Sequence, residues 1–164
     1  MGARLFWTSQ PGAVGEQWSQ VPHGIAVEHM LSHIAAVVMA ETVRAGKTPP
    51  RPAVFLACAP GELHDLPLVA LHSALARTGI ASILFGARTP TETLISAAQQ
   101  RHPAGVVVFS LLPDWADVHA LQGFGPHLPV LAAGPGWDPN QLPGNVGRVD
   151  DLVQARETIA ALTS

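Results

Sequence analysis

The sequence predicts an α/β fold built on a five-stranded parallel sheet with flanking helices, and three observations predict it. Short runs that are apolar throughout alternate with longer helical stretches. Glycines and prolines, 15 of each, fall mostly between these runs. Finally, 48% of the 164 residues are apolar and 13% are charged, which suits a buried core and excludes a disordered tail. Strands apolar on both faces require cover on both sides, as a parallel sheet between helical layers provides. The expected strand order is 2-1-3-4-5, the flavodoxin-like arrangement, whose ligands bind at the carboxyl ends of the strands.

At 164 residues the chain is one domain, or one domain with a short appendage. Nine basic residues against twelve acidic ones give a net charge of −3, which argues against direct nucleic-acid binding. The single cysteine, Cys58, lies inside an apolar run, so no internal disulfide forms and a reducing compartment fits best. Leu5, Phe6 and Trp7 are too few for a signal segment, and no window approaches about 18 uninterrupted apolar residues. The expected location is the cytoplasm.

Residues 1–23 carry Pro11, Gly12, Gly15 and Pro22 and read as a lead-in with at most a short helix. Residues 25–44 contain no Gly or Pro and read as about five helical turns, stopped by Gly46. Val27, Met30, Leu31, Ile34, Val37 and Val38 form its apolar stripe. Ala35, Ala36, Met39 and Ala40 extend the apolar surface round the cylinder, which predicts burial on several sides. Three prolines make 47–52 a stiff linker. The expected organisation is therefore a partial helical cap at 1–46, the linker at 47–52 and the sheet domain at 53–164. Within that domain strands are expected at 54–57, 81–85, 106–109, 130–133 and 146–149. Helices are expected at 66–77, 90–100, 114–121 and 151–162.

The loops after strands one, three and four should then carry the chemistry. The first reads Ala59-Pro60-Gly61-Glu62-Leu63-His64-Asp65-Leu66-Pro67. It places a histidine between carboxylates, and neutral imidazole ligates metals well when a second group fixes its other nitrogen. His64 is a candidate ligand, or a solvated loop histidine beside acids that favour a helix start. The third-strand loop begins Ser110-Leu111-Leu112-Pro113, and the fourth reads Ala132-Ala133-Gly134-Pro135-Gly136-Trp137. Small residues at adjacent strand ends leave a slot for something long and flat, or else Ser110 caps a helix and the glycines make a tight turn.

Together these loops resemble the cobalamin-binding Rossmann-like domain, whose pattern is Asp-x-His-x-x-Gly, then Ser-x-Leu, then Gly-Gly. Here Glu62 stands for the Asp, Pro67 for the Gly and Pro135 for the second Gly. His64 and Ser110 are 46 positions apart and Ser110 and Gly134 are 24 apart, as in the family. The resemblance implies that His64 is the lower axial cobalt ligand. It also implies that Glu62, Leu63, Asp65, Ser110, Leu112, Gly134, Pro135 and Gly136 contact the cofactor, whose nucleotide tail would run into the sheet edge.

Trp18, Glu28 and His29 match Trp-x9-Glu-His, the pattern on the helical module of the cobalamin-dependent photoreceptors related to MerR regulators. By that resemblance Trp18, Glu28 and His29 cover the upper face, and His29 is a possible upper ligand after photolysis. His33 reads as a satisfied core residue, while His72, His102, His119 and His127 read as surface residues. Trp115 and Trp137 read as core. The chain has no basic winged helix-turn-helix region and about half of the helical module. The expected function is a cobalamin-binding sensor, responsive to light, that self-associates through its N-terminal helix and signals through a regulator protein. The alternatives are a corrinoid carrier subunit of a methyltransferase or mutase system, or a module for another planar cofactor such as haem.

Overall fold

Three of the strands are short runs with no polar side chain to turn outward, so they can persist only in the middle of a covered sheet. In the computed structural model these are β1 (Val54–Cys58), β3 (Gly105–Phe109) and β4 (Val130–Ala133), buried at every residue. The structure describes residues 54–164 and, before them, Met30, His33–Ala35, Val37 and Val38, all helical. The outer strands are β2 (Ser82–Gly86), half-buried throughout, and β5 (Val146–Val149), buried only at its ends. All neighbours pair in parallel in the order β2-β1-β3-β4-β5, as expected.

Because successive side chains of a strand point to opposite faces, β1 contributes to two cores. Val54, Leu56 and Cys58 join Leu68, Leu71 and Leu75 of α1 (Leu66–Arg77), with Ala155 and Ile159 of α4 (Leu152–Leu162). Phe55 and Ala57 join Leu94 and Ala98 of α2 (Thr91–Arg101), with Leu121 of α3 (Val118–Leu121) and Trp137.

Local chemistry sets the helix ends. Pro67 sits in the first turn of α1, where a missing N–H costs nothing. The Asp151 side chain accepts the Gln154 N–H at 2.8 Å and starts α4. The expected helix at 114–121 is instead divided into a 3₁₀ turn at Pro113–Trp115 and the short α3. Asp117 causes the break: its backbone is extended and its carboxylate accepts the His119 and Ala120 N–H groups, restarting the chain as a new helix.

The described positions within 25–44 are helical, as expected, but not enclosed. Met30, Ile34, Val37 and Val38 are 48–63% exposed, so the predicted burial on several sides is not met there within this chain. His33 is also exposed rather than a core residue. The linker at 47–52 lies outside the described residues.

Candidate functional site

Beyond β1 the chain turns at once, with the Glu62 N–H donating to the Ala59 carbonyl at 2.9 Å. The Glu62 side chain is only 1% exposed. A buried carboxylate is costly unless its oxygens are bonded, and both are. Oε1 accepts the His64 N–H at 2.9 Å and lies 2.6 Å from His64 Nδ1, while Oε2 accepts the Leu111 N–H at 2.7 Å. The Glu62 carbonyl accepts the Arg88 N–H at 2.9 Å. One residue thus joins the loop after β1 to the loops after β2 and β3.

Burial favours the neutral acid, but the N–H groups of His64 and Leu111 and the His64 imidazole outweigh it. They hold Glu62 below its ordinary carboxylate range. An ionised carboxylate only accepts, so His64 Nδ1 carries a proton, and in the neutral ring Nε2 is then the nitrogen with the lone pair. The His64 side chain is 62% exposed. The arrangement is a fixed imidazole with one nitrogen available to an incoming group, the condition a metal-ligating histidine needs. Cys58 offers no rival. Burial, reinforced by the charges of Asp65 and Glu62, pushes its thiol far above the ordinary range.

At the β3 and β4 ends the loops lie against each other. Ser110 is fully buried, and its hydroxyl donates to the Leu112 carbonyl at 2.9 Å rather than capping a helix. The Gly136 N–H donates to the Ser110 carbonyl at 3.0 Å. Gly134 has φ of +94°, and a Cβ there would strike the Ser110 carbonyl and the Phe109 ring. A Cβ on Gly136 would lie 2.6 Å from the Leu112 carbonyl. The glycines do permit close backbone approach, but the backbone that approaches belongs to the neighbouring loop.

Glu62, Leu63, His64, Asp65, Ser110, Leu112, Gly134, Pro135 and Gly136 all fall at the carboxyl edge, as their spacing implied. Leu63, Leu112 and Pro135 are exposed there, whereas Asp65 is half-buried, its Oδ2 3.6 Å from where a Gly86 Cβ would sit. Trp18, Glu28 and His29 lie outside the described residues. Trp137 is core, as expected, with its indole N–H donating to the Val108 carbonyl at 3.1 Å. Trp115 is not. It is 45% exposed, and its ring lies against Gly61 so closely that a Cβ on Gly61 would overlap it. The 3₁₀ turn carries that ring out of the core to the His64 loop. His72 is also misassigned to the surface: it is half-buried, with Nδ1 2.7 Å from Ser82 Oγ. Sequence reasoning missed the Leu111 and Arg88 N–H partners of the Glu62 hub, because backbone donors leave no residue signature. Among the described residues no group of three or more His, Cys, Asp or Glu is placed to hold a bare metal ion.

No family model matches the sequence, and no curated protein matches it. Solved structures do resemble it. The methanol:cobalamin methyltransferase complex MtaBC from Methanosarcina barkeri aligns with 74% of this chain and 50% of its own, at 18% identity and a TM-score of 0.60. A cobalamin-binding protein from Desulfitobacterium hafniense DCB-2 aligns with 92% of this chain and 77% of its own, also at 18% identity and 0.60. The chain thus spans about half the length of the methyltransferase-complex chain it resembles. These likenesses establish the fold, a five-stranded parallel sheet flanked by helices.

Proposed function

We propose that this chain is a corrinoid-binding domain in which Nε2 of His64 takes the lower axial position of cobalamin. The observation that carries the reading is the pairing of an exposed imidazole with a buried carboxylate that fixes its other nitrogen. That donor set fits a planar complex that brings its own equatorial ligands and lacks one axial ligand. It does not suit a bare ion, which needs several protein ligands. Structural likeness to two proteins described as binding or acting on cobalamin supports the same reading.

A bound corrinoid supplies a cobalt centre that can carry a methyl group or lose an upper ligand in light. This chain's own residues orient the imidazole, hold its Nδ1 proton and present Leu63 and Leu112 beside it. A carrier subunit working with a partner enzyme is favoured by the likeness to a methyltransferase complex and by an exposed His64 edge. The light-responsive sensor rests on Trp18, Glu28 and His29. Its self-association draws support from the exposed Met30, Ile34, Val37 and Val38, which a second copy would cover. The organisation at 1–46, 47–52 and 53–164 belongs to this proposal, as does a reducing, cytoplasmic setting. Among the described residues no helix is long and apolar enough to cross a membrane.

Absorption titration with aquocobalamin tests the reading. His64→Ala should fold normally and lose the spectral change that wild type produces on binding. An identical change in both proteins would remove His64 from the site. Sedimentation of the adenosylcobalamin-loaded protein in dark and light separates the two roles: a light-driven change in assembly is expected of the sensor and not of the carrier.

A further inference from the structure

No left-handed backbone requires the glycine at 61, whose φ is not positive. Space requires it. A Cβ there would fall inside the Trp115 ring, against Cε3, Cδ2 and Cζ3. The ring reaches this place from the 3₁₀ turn at Pro113–Trp115, and the turn is braced from within. The Leu112 carbonyl accepts the hydroxyl of the fully buried Ser110 at 2.9 Å and the Trp115 N–H at 3.3 Å. The ring itself is 45% exposed and belongs to neither core. A large aromatic side chain left half in water, outside both cores, lies instead on the residue before Glu62, in the loop that carries His64.

We infer that Trp115 is a positioning residue for His64, acting through Gly61 and Glu62. Seated on Gly61, the ring keeps the loop after β1 from lifting away from the loop after β3. Glu62 is thereby held where its carboxylate takes the Leu111 N–H at 2.7 Å and lies 2.6 Å from His64 Nδ1. A flat apolar surface beside these bonds also keeps water from competing for them, which strengthens them. An imidazole already fixed before its ligand arrives loses less freedom on binding, so preorganisation adds to affinity. The effect on affinity rests on the corrinoid reading above, whereas the ordering of the loop belongs to the free protein.

The experiment measures amide hydrogen exchange in the ligand-free full chain and titrates it with aquocobalamin by absorption. Wild type is compared with Trp115→Ala, Trp115→Phe, Gly61→Ala and the double variant Gly61→Ala/Trp115→Ala. In Trp115→Ala the His64 and Leu111 N–H groups should exchange about fivefold faster or more, with the Val107 and Leu131 amides of the sheet unchanged. Aquocobalamin should bind that variant about tenfold more weakly, and Trp115→Phe should recover most of both losses. Gly61→Ala should reproduce them by displacing the ring, and the double variant should be no worse than either single one, because both act through one contact. Unchanged exchange at His64 and Leu111 in Trp115→Ala overturns the inference. So does faster exchange with undiminished binding, which leaves the corrinoid reading standing. A wild type that binds no corrinoid overturns that reading, and the exchange rates then decide the positioning of His64 by themselves.

Discussion

At the carboxyl edge of the sheet the loop after β1 buries a carboxylate, Glu62, whereas the loop after β4 buries two positions that have no side chain, Gly134 and Gly136. Both loops fasten themselves to the loop after β3. The first does so with a side chain reaching across to the Leu111 N–H, and the second by bringing its backbone onto the Ser110 carbonyl. The difference separates two ways of shaping a site. A buried polar side chain fixes a neighbour, here His64, and leaves that neighbour exposed for chemistry. Glycine lets two backbones meet and removes the space between them.

Substitutions at the two loops should therefore fail for different reasons. The largest loss is expected for Gly134→Ala. It places a Cβ at φ of +94°, strained for an L-residue, and drives it into the Ser110 carbonyl and the Phe109 ring. Strain and overpacking together cost about 2–5 kcal/mol, read as a lower denaturant midpoint. A loss below about 1 kcal/mol would show that the two loops are not in contact.

Somewhat smaller is the effect of Glu62→Ala, which takes the carboxylate from the part-buried His64 and Leu111 N–H donors, at about 1–3 kcal/mol in all. Glu62→Gln keeps a carbonyl oxygen for one donor and should recover part of the loss. The acid limb tells the same story. Glu62 has a depressed carboxyl pKa in the folded state, so its contribution is complete above the unfolded value of about 4.3 and fades as pH falls through the folded one. In Glu62→Gln that part of the acid dependence should be missing.

The smallest effect belongs to a residue remote from both loops. Burial lowers the pKa of His72, which faces Ser82 at the start of β2. Below about pH 6.5 the unfolded chain takes up a proton that the folded chain resists, so stability falls as pH drops from there toward the folded value. Replacing His72 with Gln should flatten the stability curve below about pH 6.5. A slope equal to that of wild type would assign the dependence elsewhere.

Much of the fold was legible because the signals were local. The runs 54–58, 105–109 and 130–133 are apolar at nearly every position, and only a doubly covered strand tolerates that. Leu68, Leu71 and Leu75 are spaced as one helical face, and the structure buries all three. Residues 114–121 misled because the helix-like run hides Asp117, whose side chain competes with the helical bonds of its own backbone. At the site, Glu62 and His64 were legible as a carboxylate and an imidazole two positions apart. The role of Gly134 and Gly136 was not, since glycine permits close approach without naming what approaches. Trp115 was assigned to the core on the general habits of tryptophan, whereas its place depends on the turn at 113–115.

The outer strand β5 carries one further consequence. Unpaired backbone along the rim of a sheet invites pairing with a strand from another molecule, and folded proteins discourage this with short rims and charged side chains. β5 has four residues, and it sets Gly147 and Arg148 at the two positions it does not bury. The Arg148 guanidinium is held by Asp150 Oδ1 at 2.6 Å and by the Trp137 carbonyl at 2.5 Å, so the charge stays beside the rim instead of trailing into solvent. The guanidinium that bonds the chain after β4 at Trp137 therefore also guards this side of the molecule against strand-by-strand aggregation.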